Sequence, residues 1–437
     1  MPRVFIKTFG CQMNEYDSGK MRALLGRDGF ERTEDLADAD VVLVNTCSVR
    51  EKPEQKLHSF LGRVLPMKRQ RRVTVGIAGC MASVAGESLF KRYPQVDLVF
   101  GPDAVSRIGE MVATAPTQRV LDTEFLGEAG YPFPSEVDPE AAGRISSFVT
   151  IQKGCDNRCT FCIVPATRGD EVSRPVANVL AEVRALAERG VKEVTLLGQN
   201  VNSYGLKIAG HPSFADLLRA VHEVEGVEVI RYTTSHPRDI GDDVVDCYKD
   251  LPKLASHLHL PVQSGSNRVL RRMKRFYTRE QYLGVVERLR AVRPDLVLST
   301  DIICGFPGES DADFDDTMSL LEAVRFQASF SFNYSPRPGT PALKLLDDAV
   351  PAAVMQARLE RFQSRQREIA LESHDALVGS VQQVLVEGPS AHDEGVICGR
   401  TSTFKTVNFP GTPNQVGRWI PVRVTRGFAN TLRGEPA

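Results

Sequence analysis

The sequence predicts an α/β protein: an N-terminal open parallel α/β sheet, a central partial (β/α)6 barrel, and a small all-β barrel at the C-terminus. Three observations predict it. Short Val- and Ile-rich runs alternate with amphipathic stretches over residues 1–101 and again over 147 to about 335, within expected domains of 1–122 and 144–374. Between these blocks, 123–143 reads TEFLGEAGYPFPSEVDPEAAG, an aperiodic linker rich in acidic residues, Gly and Pro. After them, 376–437 changes to short strand-like runs broken by Gly and Pro.

In the first block the strand candidates are VFIKTFG (4–10), VVLVNTC (41–47), TVGIAGC (74–80) and LVFG (98–101), with SGKMRALLGRDGF and EKPEQKLHSFLGRVLPMKR as helices between them. Strands separated by helices require parallel pairing with right-handed crossovers. The second block offers FVTIQ (148–152), EVTLLG (193–198), VEVIRYTT (227–234), HLHLPV (257–262), VLSTDIICG (297–305) and ASFSFNYS (328–335). Six strand-helix units make a partial barrel, whose chemistry should sit at the C-terminal strand ends. A charge-laced helical stretch, about 351–374, leads into the last domain.

The length of 437 residues argues for two or three domains, and a 42% hydrophobic share with 25% charged residues is that of a globular protein. A formal net charge of -1 announces no global attraction to nucleic acid, so any grip on RNA must be local. No apolar run reaches signal-peptide or membrane-spanning length, which points to the cytoplasm. Nine cysteines, an odd number in a chain of this kind, suit metal or redox chemistry better than a disulfide framework.

GCDNRCTFCIVP sets Cys155, Cys159 and Cys162 in a C-x3-C-x2-C run directly after the first barrel strand. Three thiolates so close can hold three irons of a 4Fe-4S cube and leave the fourth iron open. A zinc site would need a fourth ligand, and neither a second C-x2-C nor an H-x3-H pair stands nearby. Cys11, Cys47 and Cys80 are far apart in sequence, yet TFGC, VNTC and IAGC each close a strand candidate. In a parallel sheet those ends share one edge, so the three thiols should converge on a second cube; the alternative is three unrelated core cysteines. Cys247, Cys304 and Cys398 stand singly and read as structural.

The C-x3-C-x2-C run with Phe161 before its last cysteine resembles the radical S-adenosylmethionine (radical SAM) signature. The resemblance implies that SAM chelates the open iron and yields a 5′-deoxyadenosyl radical. It also makes Gln199 and Asn200 in LLGQNV candidates for the SAM amino group, likens STDIICGFPGE to the strand end bordering adenine, and offers Ser235, Gln263, Asp301 and Arg275 as further SAM contacts. No general acid-base pair stands out, so no catalytic residue is expected beyond the cluster ligands.

KTFGCQMNEYDS, NTCSVREKPEQK, GIAGCMA, GCDNRCTFCIVPATRGDEVSRP, LLGQNVNSYG, YTTSHP and HLPVQSGS together resemble the methylthiotransferases along nearly the whole chain. REKPEQK and TRGDEVSRP are similar to the tRNA-modifying branch, MiaB, and differ from the branch that acts on a ribosomal-protein aspartate, which stays as the alternative. The resemblance implies two 4Fe-4S clusters, SAM, and methylthiolation at C2 of N6-isopentenyladenosine next to the tRNA anticodon, with sulfur delivered by the cluster on Cys11, Cys47 and Cys80. It implies a tRNA anticodon stem-loop, a low-potential electron donor and a sulfur donor as partners; the lack of long apolar runs predicts no membrane, and a monomer is the default. A non-enzymatic RNA-binding protein with a structural metal is the third reading. Phe276, where a glycine is common, and Ala166, which often has an aromatic counterpart, depart from the family wording.

For the RNA itself, RVLRRMKRFYTR (268–279) carries six basic residues and no acidic one, with Arg271, Arg272 and Lys274 as phosphate candidates against the alternative of a solvated helix face. Residues 376–437 resemble the TRAM domain through GRTSTFKTVNF and GRWIPVRVTRGFANTLRG. They carry Arg400, Lys405, Arg418, Arg423, Arg426 and Arg433 against four acidic residues, and Phe404 with Lys405 could stack a base and pair a phosphate, against the alternative that Phe404 is one of the aromatics that stabilise the barrel itself.

Overall fold

The computed structural model describes residues 1–48, 51–127, 130–390 and 393–437. Arg50 of the REKPEQK motif and Glu128–Ala129 of the linker lie outside them.

The first sheet contains β1 (Arg3–Phe9), β2 (Glu31–Arg32), β3 (Val41–Thr46), β4 (Thr74–Ala78), β5 (Leu98–Phe100) and β6 (Val120–Asp122). All pair in parallel in the order β2-β1-β3-β4-β5-β6. Every residue of β3 is buried, as a central strand covered on both faces demands. Val42, Val44 and Ile77 meet Leu57 and Leu61 on one side, while Val41 and Leu43 meet Met21, Leu25 and Ile108 on the other. The two edge strands β2 and β6, of two and three residues, carry too little pattern to be read in sequence.

The central strands are β7 (Ser146–Thr150), β8 (Gln152–Lys153), β9 (Val172–Ser173), β10 (Glu193–Leu197), β11 (Val229–Thr233), β12 (His257–His259), β13 (Val297–Cys304) and β14 (Ala328–Asn333). Two parallel three-stranded sheets, β7-β10-β11 and β12-β13-β14, form the wall. They are stitched where Ile230 exchanges backbone hydrogen bonds with Lys253 and Ala255. The result is an open barrel with β7 and β14 at its two rims. β8 and β9 form a separate antiparallel pair. Helices cover the outside, and the last, Ala352–Asp375, backs β14 by donating from Gln363 to Ser331 and from Gln366 to the Phe326 carbonyl.

The remaining strands, β15 (Val381–Pro389), β16 (Val396–Arg400), β17 (Thr406–Pro410), β18 (Trp419–Gly427) and β19 (Leu432–Pro436), close into a barrel in the order β15-β16-β17-β19-β18. Its core is Val384, Val386, Ile397, Val407, Phe409, Val422, Val424 and Leu432. Among the described residues no helix is long and apolar enough to cross a membrane.

The small barrel plugs the N-terminal end of the central one. Phe404 stacks on His257 with ring centroids 4.9 Å apart, and Arg231 and Arg400 lie over its ring at 4.6 and 4.5 Å. Arg231 also donates to the carbonyls of Thr401 and Ser402. Lys405 is buried and donates to Gln327 and, at 3.3 Å, to Ser373. These contacts correct the expectation that Phe404 and Lys405 meet RNA as a pair: Lys405 is buried in the joint between two domains, and Phe404, though 37% exposed, packs there against His257, Arg231 and Arg400. Arg400 faces inward with them, whereas Arg418, Arg423, Arg426 and Arg433 remain exposed.

Burial lowers the Lys405 ammonium from its usual 10.5 to about 8. The unfolded chain therefore binds this proton more tightly, so stability should climb as pH rises from about 8 towards 10.5 and be lost as pH falls through 8. Chemical unfolding across that range should show this slope in the native chain and a flatter one in Lys405→Met.

Candidate active site

β1, β3 and β4 are neighbours, and each delivers a cysteine at its C-terminal end. Cys11 follows β1 and caps the helix Gln12–Arg27, Cys47 follows β3 directly, and Cys80 begins the helix Cys80–Ala85. The approach is close because of two glycines. A side chain on Gly10 would come within 2.3 Å of Asn14 Oδ1, and one on Gly79, at φ +91°, within 2.3 Å of Asn45 Oδ1. Asn14 and Asn45 are themselves locked together: Asn14 Nδ2 donates to Asn45 Oδ1 at 2.9 Å, and Asn45 Nδ2 returns to the Asn14 carbonyl at 2.8 Å.

The thiol environments differ. A hydrogen bond from Cys47 offsets burial at Cys11 and, with help from Arg168, pulls its thiol down to about 5. Burial raises Cys80 against the opposing pull of Arg168, which also hydrogen-bonds it. One thiolate-forming group beside two buried thiols is a donor set suited to a positively charged metal centre.

The second trio lies on the loop after β8. Gly154, at φ +72°, passes so near the Asp170 carbonyl that a side chain there would sit 1.9 Å from it. Thr160 fastens the loop to the 270s segment through the carbonyls of Arg272 and Met273. Cys155 and Cys159 are buried and Cys162 half-buried; burial pushes the Cys162 thiol up to about 12. Val164 donates its backbone N–H to Cys162 Sγ at 3.5 Å, and Arg275 Nη1 lies 3.5 Å from Cys159 Sγ. Among the described residues no three His, Cys, Asp or Glu side chains crowd around a point fit for one metal ion. Ligands of a cube bind different irons and stand further apart than those of a single ion.

The segments that carry the two trios are in contact. The helix Val164–Arg168 starts two residues after Cys162 and packs against Cys80–Ala85. Its last residue, Arg168, donates to Asp17 at 2.7 Å and presents its charge to Cys80 and Cys11. Arg168 was quoted in sequence only as part of TRGDEVSRP. Its signal was a basic residue six positions past the last cysteine of the C-x3-C-x2-C run.

A collar of buried polar atoms without protein partners, among the described residues, stands at the C-terminal ends of β7, β10 and β11. It comprises Gln152 Oε1, Gln199 Oε1, both side-chain atoms of Asn202, Ser235 Oγ and His236 Nε2. Buried polar atoms left unpaired are costly, so this collar fits a polar ligand such as SAM. Gln199 and Ser235 belong to it as expected from the resemblance. Asn200 does not, since it donates to Asp239 at 2.7 Å and accepts from the His236 backbone at 3.1 Å. Gln263 serves through its backbone, bonded to Asp301 and Ile303 across the wall at φ +74°. Arg275 is buried and committed to Cys159, to the Pro261 carbonyl at 2.9 Å and to Tyr277 at 3.1 Å. Asp301 faces the lumen with His259 Nε2 3.5 Å away. His236 went unread; burial and the cations of Arg275 and Arg238 drive its ring down to about 2, so it is neutral. Glu171, raised to about 7 by burial, accepts from Ser203 at 2.7 Å beside the same collar.

Of the basic run, Arg268 is tied to Asp313 and Arg272 to Asp348, while Arg271 and Lys274 are exposed. Phe276 is 65% exposed at φ +57°, a left-handed conformation that explains why glycine is common there. Ala166 lies half-way along the helix that joins the two trios.

Comparison with known proteins places three families along the chain: the Radical SAM superfamily at residues 149–321, Uncharacterized protein family UPF0004 at 3–101, and the TRAM domain at 375–437. A tRNA-2-methylthio-N(6)-dimethylallyladenosine synthase of Methylococcus capsulatus is 49% identical over 99% of this chain and 95% of its own length. One of Geobacter metallireducens is 48% identical over 99% and 98%. Among solved structures, the radical S-adenosylmethionine methyltransferase TsrM of Kitasatospora setae superposes with a TM-score of 0.57 at 14% identity, covering 89% of this chain and 78% of that one. At that identity the likeness speaks for the fold.

Two measurements test the site. Anaerobically reconstituted protein should bind about eight irons, and Cys→Ala replacement of either trio should leave about four. Replacing Cys247, Cys304 and Cys398 should leave the full complement. Gln199→Leu and Ser235→Ala should each weaken SAM binding about five-fold, roughly one lost hydrogen bond, with iron content unchanged in equilibrium dialysis.

Proposed function

The chain belongs to the family of tRNA-2-methylthio-N(6)-dimethylallyladenosine synthases, and from that premise we propose that its six convergent cysteines carry the family's two 4Fe-4S clusters: Cys155, Cys159 and Cys162 the SAM-binding one, Cys11, Cys47 and Cys80 the other. It is a radical SAM methylthiotransferase acting on tRNA. Bound in these places, a reduced cluster with SAM supplies one-electron chemistry able to activate a C–H bond, and the second cluster supplies a site for sulfur.

The chain's own groups supply position and enclosure. Arg168 is the observation that carries the proposal, because a residue six positions after Cys162 reaches Asp17 and sets its charge beside Cys80 and Cys11 of the other domain. Arg275 fixes the loop that carries Cys155, Cys159 and Cys162. The neutral His236 ring and the open Gln199 and Ser235 groups offer hydrogen bonds to SAM without adding charge. The substrate is N6-dimethylallyladenosine beside the anticodon, presented by an anticodon stem-loop whose unstacked bases can enter a pocket. Arg271 and Lys274 at the mouth and Arg418, Arg423, Arg426 and Arg433 on the small barrel are the cations available to its phosphates. A low-potential electron donor and a sulfur donor complete the reaction, carried out by a monomer in the cytoplasm. The ribosomal-protein alternative is not favoured, since the full-length relatives bear the tRNA name.

Nucleoside mass spectrometry of tRNA from cells lacking the gene should show the 2-methylthio derivative replaced by its unthiolated precursor. Unchanged 2-methylthio content would reject the reading. Restoring the gene with Cys11, Cys47 and Cys80 replaced by Ala should leave the precursor accumulated.

A further inference from the structure

Resting on that reading, we propose that Phe330, with Phe332 and Ile303 beside it, is the apolar seat for the dimethylallyl chain of the substrate adenosine, and that it sets the enzyme's preference for prenylated RNA. Strand parity puts these side chains in the lumen. On β14, Ser331 turns outward to Gln363 of the covering helix, so its neighbours Phe330 and Phe332 turn inward. Phe330 pairs with Asp301 and Phe332 with Ile303 across β13, and residues directly opposite on paired strands share a face. The Phe330 ring meets the edge of His259 at 5.9 Å, and His259 in turn faces Asp301 and Ser299 inside the barrel.

Large apolar side chains on the inner face of a covered sheet should be packed, yet Phe330 is 51% and Phe332 43% exposed. That apolar surface stands beside polar groups suited to a nucleoside. Asp301 and His259 lie next to Phe330, and the collar of unpartnered polar atoms lines the same end of the lumen. Below, Phe404 closes the floor. An occupant must therefore present an apolar branch and a polar ring together, which an N6-dimethylallyl adenine does.

The topology also orients it. β7 and β14 are the two rims of the opening, and the N-terminal domain leans on the β7 side, where the helix Gln12–Arg27 meets β7. C2 and C6 of adenine flank N1 on different edges of the ring. Turning C2 towards Cys11, Cys47 and Cys80 thus directs the N6 branch away from them, towards β14.

The test is anaerobic fluorescence anisotropy with the reconstituted full-length protein and two anticodon hairpins that differ only in the N6-dimethylallyl group. The native protein should prefer the prenylated hairpin by about ten-fold or more, the scale of a small apolar group in a fitted pocket. Phe330→Ala and the polar Phe330→Gln should each cut that preference at least about five-fold, leave affinity for the plain hairpin unchanged and retain full iron. Phe330→Leu should keep most of it. An unaltered preference in both variants, or an equal loss for both hairpins, overturns the proposal. So does a native protein indifferent to the prenyl group; the tRNA assignment would still be decided separately by the cellular nucleoside analysis.

Discussion

A buried set of ion pairs between the N-terminal sheet and the barrel governs this molecule. Lys20 and Glu182 meet at 2.9 Å with both side chains almost wholly buried, and Arg174 joins Glu182 with no exposure at all. Tyr16 adds its hydroxyl at 3.0 Å. Lys153 pairs with Asp103, and Arg168 with Asp17. Removing one partner from such a pair costs about 3–5 kcal/mol, because the other charge stays buried and alone. Sliding the domains apart would strand several at once, so their relative placement is fixed far more sharply than by apolar packing, which tolerates small shifts. That precision matters because each domain owns one cysteine trio.

The linker takes part in the same constraint. Its Glu136 carbonyl accepts from Lys20 at 2.6 Å, Asp138 pairs with Arg22 at 2.6 Å, and the Leu126 carbonyl accepts from Lys153 at 2.7 Å. A segment that looks like loose chain by composition is a strap across the domain boundary. Composition reports local preference, whereas the contacts to Lys20 and Arg22 each bridge 116 residues, which no local pattern carries.

The parallel sheet with its three cysteine-tipped strands was legible because it depends on a short-range signal: an apolar run ending in Gly-Cys or Thr-Cys, repeated on strands that pair side by side. The C-x3-C-x2-C loop was legible for the same reason. What the sequence hid was the fate of polar side chains. Asn200 and Gln199 are neighbours in one motif, yet one is satisfied by Asp239 and the other left open, a difference made by chain 39 residues away. Phe404 and Lys405 looked like a stacking pair for RNA and proved to be a domain joint, since an aromatic beside a cation has the same appearance in either role.

The joint at Phe404 has a consequence for traffic. The small barrel covers the N-terminal strand ends of the central one, which leaves the C-terminal strand ends as the approach that nucleic acid and the small reagents have in common.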